Sequence, residues 1–387
     1  MSQLRRLSTR SLIAITAAAV IVAAGGAAIA VAARGGGPTP PPKRLDQAIH
    51  DALGANHPAG VTARVRFTNR LFPSGSLIGQ LGSALMSGGS GRLWLTDDGR
   101  GRVELQSDAG DVQIVWNDQR ISVYDASSNT VYRVTLAKHT GSGSTGGSGT
   151  PPTLAQIDKV LTDIGVHWAL SGARATDVAG RPAYSVSVSP KHDGGLLGSL
   201  ELAWDAVHGT PLRAGIYAQG RSAPVLQLAV TNISYGAVSD SDVDVAPPAG
   251  AKVIDIAAPS GGPHEGSGTP AVTGLAAVKA AAGFPVVAPD SLVGLPRTDV
   301  RLVGGDTVLV LYGQGLGRIV LVERKADASS ANGLMSSLPT VSLDGLTAHE
   351  LSTELGTALA WQAGGTSYVL AGSLPSAAAE AAARAVK

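Results

Sequence analysis

Nothing constrains this chain more than a run of short alternating segments cut by turns. Residues 92–136 read RLWLT, DDGRG, RVELQ, SDAG, DVQIVW, ND, QRISVY, DASSN and TVYRVTL. Apolar and polar residues alternate within each segment, which is the period of a strand with two different faces. The breaks are rich in Asp, Asn, Gly and Ser, the residues hairpins require. Five strands in so short a span form an antiparallel meander. The same period recurs in VTARVRF (residues 61–67), AYSVSVS, GSLELAWD, PLRAGIYAQ and VLQLAVTNIS. In SLELAWD, Leu200, Leu202 and Trp204 alternate with Ser199, Glu201, Ala203 and Asp205. The segment Asp205–Gly209–Pro211 supplies the turn that follows. Composition agrees with many short strands: 50 Gly, 22 Pro and 4% aromatic residues in a chain of 387.

Helical spacing is confined to a few places. LDQAIHDAL (residues 45–53) puts Leu45, Ala48 and Leu53 on one side. Residues 154–164 place Leu154, Ile157, Val160, Leu161 and Ile164 at helical intervals. Residues 71–86 fit either a loop or an amphipathic helix. Beyond a Gly/Pro/Ser-rich segment near residues 257–272, a smaller α+β unit is expected over residues 273–387. Its helices are predicted at residues 274–283 and 375–386, with the strands TDVRLV, DTVLVLY, RIVLVER, TALAWQ and TSYVLAG between them.

The N-terminus predicts placement. Arg5, Arg6 and Arg10 precede an uncharged apolar run, residues 11–33, closed by Arg34. At about 1.5 Å per residue the run spans roughly 34 Å, enough for a bilayer core. A basic tail on the cytoplasmic side and an exported body follow. A cleavable signal peptide is the alternative, since Ala28–Ile29–Ala30 resembles a cleavage site. Residues 34–44, GGGPTPPP and its continuation, read as a partly extended spacer. The chain has no Cys, which excludes disulfides, thiolate metal sites and a lipid-modified cysteine. The whole chain carries +1; without the three tail arginines, 1 − 3 leaves −2 for residues 34–387. That balance argues against a nucleic-acid partner.

The residues offer no catalytic set. His349–Glu350 in AHELST lacks the second His of a zinc-protease helix. His264–Glu265 lies in the linker. GQGLGR (residues 313–318) joins two short strands with no helix to follow, so it reads as a hairpin turn rather than a phosphate loop. Asp97–Asp98 and the pair Asp242 and Asp244 fall at turns or strand ends. No nucleophile–base pair, metal site or cofactor motif is identified. Trp94, Trp116, Trp168, Trp204 and Trp361 either fill a core or line a ligand cavity. A wide sheet with one apolar face must cover that face. About ten strands stand here against two or three helices, so an apolar hollow is expected.

At WDAVHGTPLRAGIYAQGRSAPVLQLAVTNISYG, followed by DVDVAPPAGAKV, the sequence resembles the LolA-type lipoprotein-carrier family. IVWNDQRISVYDASSNTVYRV resembles that family's earlier hairpins. The resemblance implies an antiparallel half-barrel of about eleven strands over residues 45–256, capped by helices above a cavity for acyl chains. It implies that Leu200, Leu202 and Trp204 face lipid. The other candidate lining residues are Val65, Phe67, Leu93, Leu95, Ile114, Trp116, Tyr184, Val186 and Val188. GFPVVAPDSLVGLP and TALAWQAGGTSYVLAGSLP resemble the C-terminal domain of sigma-factor regulators of the RseB/MucB type. The partners so implied are a lipid or acylated lipoprotein and, for the C-terminal unit, a membrane protein such as an anti-sigma factor. The resemblance carries over no catalytic residue.

Overall fold

The computed structural model describes residues 37–71, 84–136, 152–192, 194–256, 272–326 and 338–386. The apolar run at residues 11–33, the glycine-rich loop at residues 140–150 and most of the second linker lie outside them. Among the described residues, no helix is long and apolar enough to cross a membrane.

The elements in the first part are α1 (Leu45–Leu53), β1 (Gly60–Asn69), α2 (Ala84–Ser87), β2 (Gly89–Thr96), β3 (Gly101–Gln106), β4 (Val112–Trp116), β5 (Arg120–Asp125) and β6 (Thr130–Thr135). Then come α3 (Leu154–Gly165), β7 (Trp168–Leu170), β8 (Arg174–Val178), β9 (Arg181–Pro190), β10 (Leu197–Asp205), β11 (Pro211–Ala218), β12 (Leu226–Tyr235), α4 (Asp240–Val243) and β13 (Lys252–Ile256). The strands form one open sheet in the order β13-β6-β5-β4-β3-β2-β1-β12-β11-β10-β9-β7, with β8 paired to β9.

Alternation sets the two faces. On β1, Val61, Ala63, Val65 and Phe67 are buried while Arg64 and Arg66 are exposed. Register carries the apolar face across the sheet: Ala63 lies opposite Leu93 and Ile233, and Phe67 opposite Leu228. The sheet also curls. Three strand spacings separate β9 from β12, about 14 Å if the sheet were flat. Yet Arg181 on β9 donates to the Ile233 carbonyl at 3.4 Å and lies 5.1 Å from the Tyr235 ring. Bulges at Arg64/Val65 and Ala203/Trp204 add local twist.

Three features correct the sequence reading. Thirteen strands form rather than eleven. The last, β13, pairs parallel to β6 across more than a hundred intervening residues, so the sheet is not wholly antiparallel. The short strands β7 and β8 were not foreseen. In the uncertain stretch near residues 71–86, the described part is a single turn of helix, α2, against β1 and β3.

One glycine is dictated by packing. Gly101 stands opposite Trp116, and a Cβ there would fall 2.1 Å from the indole ring. Gly101→Val is expected to displace the indole and cost about 1–3 kcal/mol, read as a lower urea midpoint.

The second part contains β14 (Val272–Thr273), α5 (Leu275–Ala281), β15 (Ser291–Leu292), β16 (Leu295–Val303), β17 (Thr307–Tyr312), β18 (Ile319–Lys325), β19 (Thr340–Leu343), β20 (Leu346–Thr353), β21 (Gly356–Ala363), β22 (Thr366–Gly372) and α6 (Ser376–Arg384). They give a second sheet, β14-β16-β17-β18-β22-β21-β20-β19, with β15 on β16. Val278 of α5 and Ala379, Ala382 and Ala383 of α6 are buried against Val308, Leu321, Leu359 and Leu370. Small alanine methyls let α6 lie close to the strands. The GQGLGR segment forms a one-turn 3-10 helix between β17 and β18, and His349 and Glu350 lie on β20.

The two sheets meet at a small joint. The Leu196 amide donates to the Ser373 hydroxyl and carbonyl at 2.9 and 3.2 Å. Arg221 and Glu354 form a 3.6 Å ion pair. Leu355 packs with Ile216, Ala218, Val225 and Leu226 of the large sheet.

Candidate functional site: the apolar face of the large sheet

The sequence places the candidate residues by parity alone, and the structure gives them different surroundings. Val65, Phe67, Leu93, Leu95, Ile114 and Trp116 share one cluster with residues of β1–β5 and β12 and with Ala84 and Leu85 of α2. Tyr184, Val186, Val188, Leu202 and Trp204 share another with Leu45, Ala48, Ile49 and Ala52 of α1. Leu200 belongs to neither. Six of the twelve are sealed: Val65, Phe67, Ile114, Tyr184, Val186 and Trp204 are at most 8% exposed. The other six, Leu93, Leu95, Trp116, Val188, Leu200 and Leu202, are half-buried.

Register explains the position of Leu200. Val188, Leu200, Ile216 and Leu226 lie opposite one another across β9, β10, β11 and β12. They form one row on the same face as Phe67. At one end, Val188 packs under α1. At the other, Ile216 and Leu226 are covered by Leu355 from the second sheet. Leu200 sits between the two covers.

The helices over this face are unequally seated. α1 presents Leu45, Ala48, Ile49 and Ala52 along one stripe. The preceding segment is tied down as well. Pro40 is buried, and the Tyr184 hydroxyl donates to the Pro41 carbonyl at 2.7 Å. Lys43 Nζ lies 2.5 Å from Asp51, and this pairing raises the Lys43 pKa and lowers that of Asp51. α3 starts at a capping box, in which Thr153 accepts the Gln156 amide while the Gln156 side chain accepts the Thr153 amide. It rests mainly on α1 and β7. Only Ile157 of its apolar stripe is buried, and Leu154 is 43% exposed.

At the α1–α3 seam is an open crevice of about 390 Å³, lined by Lys43, Arg44, Leu45, Asp46, Asp158, Leu161, Gly172 and Ala173. None of these was among the candidate lining residues. The helical spacing of Leu45 and Leu161 was the available signal, because Lys43 and Arg44 read as linker. Leu45 and Ala173 also belong to the Tyr184–Trp204 cluster, so the crevice abuts that apolar patch.

The polar groups near this face hold structure. Asp205 closes the β10–β11 turn: its carboxylate accepts the Val207 and His208 amides at 2.8 and 2.9 Å and the Tyr235 hydroxyl at 2.7 Å. Burial would raise its pKa, but these donors outweigh burial and hold it below the usual carboxylate value. The His208 ring lies 4.0 Å from that of Tyr235. Among the described residues, no group of three metal-ligating side chains converges.

No family model and no curated protein matches the chain. Solved structures similar to it include MucB in complex with MucA(peri), at 15% identity and a TM-score of 0.41, covering 89% of this chain and 96% of MucB. The MucA/MucB complex of Pseudomonas aeruginosa aligns at 15% identity and 0.40, covering 88% and 94%. A LolA superfamily protein from Nitrosomonas europaea aligns at 9% identity and 0.22, covering 53% of this chain and 99% of its own. These structures carry the names of the two families that the hairpin and C-terminal motifs resemble.

Proposed function

We propose that this chain binds an acyl chain, of a lipid or an acylated lipoprotein, against the apolar face of the large sheet, without chemistry. In this reading residues 11–33 hold it at a membrane and residues 45–256 form the binding half-barrel outside the cytoplasm. The observation that carries it is the row Val188–Leu200–Ile216–Leu226, which is covered at both ends and half-open at Leu200. The seam between α1 and the lightly seated α3 is the way in. Each buried methylene contributes about 0.8 kcal/mol, so ten carbons give roughly 8 kcal/mol before ordering costs. Native extraction followed by mass spectrometry is expected to recover lipid. Leu200→Glu is expected to abolish uptake of a labelled fatty acid while the melting temperature is kept. Absence of lipid together with no uptake by the unaltered chain would sink the reading.

A second reading is a regulatory module that binds a membrane protein. It is favoured by the second sheet, where α5 and α6 cover one face only. On the other face Leu309, Leu311, Val320, Val322 and Val369 form a band, with Val369 37% exposed. MucB is seen with a protein partner, MucA(peri); for this chain such a partner would engage that band. Val322→Asp then abolishes partner capture and leaves fatty-acid uptake intact.

A further inference from the structure

The face of the large sheet opposite the apolar row is basic at its centre. Arg64 on β1 lies directly opposite Arg92 on β2. Arg66 follows two residues along on the same face. All three are exposed. Like charges placed opposite each other on neighbouring strands destabilise a sheet. Little across the strands relieves the three arginines here. Their other cross-strand neighbours are Asn232, Ser90 and Ala229, apart from Glu104 opposite Arg92. Glu104 is engaged by Arg102. Farther across the face, Arg213 holds Glu201 at 2.6 Å. On β1–β3 and β10–β12, five arginines stand against two glutamates on this face, a local balance of +3, although the body of the chain is slightly acidic. Among the described residues, Arg64, Arg66 and Arg92 have no side-chain hydrogen bond or ion pair.

We propose that this face docks on the surface of a bilayer containing anionic phospholipid, with the three guanidiniums seated on lipid phosphates. Arginine suits phosphate because its planar fork donates two parallel bonds. The shape selects among polyanions. Double-stranded nucleic acid is read by an element that enters a groove, and this is the broad back of a curled sheet, with no projecting element among the three arginines. Single strands are held by exposed aromatic platforms. Trp94, the aromatic residue beside the patch, is instead stacked by the Arg102 guanidinium at 4.9 Å. A laterally mobile array of phosphates, which can adjust to the spacing of the three guanidiniums, fits what remains. The proposal concerns the opposite face from the acyl-chain site, so either can fail without the other.

The chain has no Cys, so Ser90→Cys, exposed and opposite Arg66, gives a single thiol for an environment-sensitive fluorophore. The labelled full chain is mixed with vesicles of phosphatidylcholine alone, or with about a third phosphatidylglycerol. The probe is expected to report a drier setting on the anionic vesicles only. The response should fade when salt rises from about 0.05 M to about 0.5 M. Replacing the three arginines together (Arg64→Gln, Arg66→Gln, Arg92→Gln) should weaken docking about a hundredfold, with the melting temperature kept or raised because the repulsion is gone. If residues 11–33 anchor the chain in both vesicles, the difference between the two lipid mixtures still isolates the patch. An equal response on both, an unchanged response in the triple variant, or a stronger response to an oligonucleotide or polyglutamate than to vesicles overturns the proposal.

Discussion

Glu323→Gln is expected to stabilise the second sheet at pH 8 by about 3 kcal/mol and to have little effect at pH 4. Glu323 is on β18 and is completely buried, opposite Val308 and Tyr368. One carboxyl oxygen accepts the Val287 amide at 3.0 Å; the other has no partner among the described residues. Burial pushes its pKa up to about 7, only partly offset by that amide and by Lys279. The sign follows directly. The folded state prefers the protonated acid, so the contribution is complete below the unfolded value near 4.5 and is lost as pH rises through about 7. Gln keeps the shape and cannot ionise. Urea unfolding at pH 4, 6 and 8 should show a falling profile for the unaltered chain and a flatter one for the variant. Parallel profiles would show that Glu323 is ionised at no cost or protonated throughout.

Asp205→Ala is expected to cost the large sheet about 3–5 kcal/mol, as the loss of a buried charged partner usually does. Two backbone amides and the Tyr235 hydroxyl lose their acceptor. Asp205→Asn keeps one acceptor oxygen and should lose less. The pH dependence is opposite to that of Glu323. The Asp205 pKa is lowered, so its contribution is present above about pH 4 and is lost in acid, as pH falls through the folded value. Acid should therefore loosen the large sheet first and mild alkali the small one. Acid and alkaline unfolding followed separately for each sheet would test this order. A single transition at both extremes, with Asp205→Ala as stable as the unaltered chain, would contradict it.

These two sheets were unequally legible in the sequence. The meander of β2–β6 could be read because alternation and turn residues are local signals, and they coincide there at every break. The strand β13 could not, because its partner Thr130–Thr135 lies far away and a parallel edge strand leaves no hairpin. The strand β20 was hidden because AHELST carries polar residues on both sides, Glu350 and Ser352 on the side of the buried Ala348 and His349 and Thr353 on the side of Leu351. For the site, alternation identified an apolar face but not its covers. Nothing local marks Leu355 as a lid on Ile216 and Leu226, or Pro41 as the acceptor for Tyr184. Both depend on contacts between residues far apart in the chain.

Leu355 is held by a turn of one sheet and rests on the apolar row of the other. The posture of the two halves and the filling of that row thus draw on the same few side chains. On the acyl-chain reading, a guest pressed against Leu200 would lie beside that joint, and any shift of the joint would reshape the row it lies on.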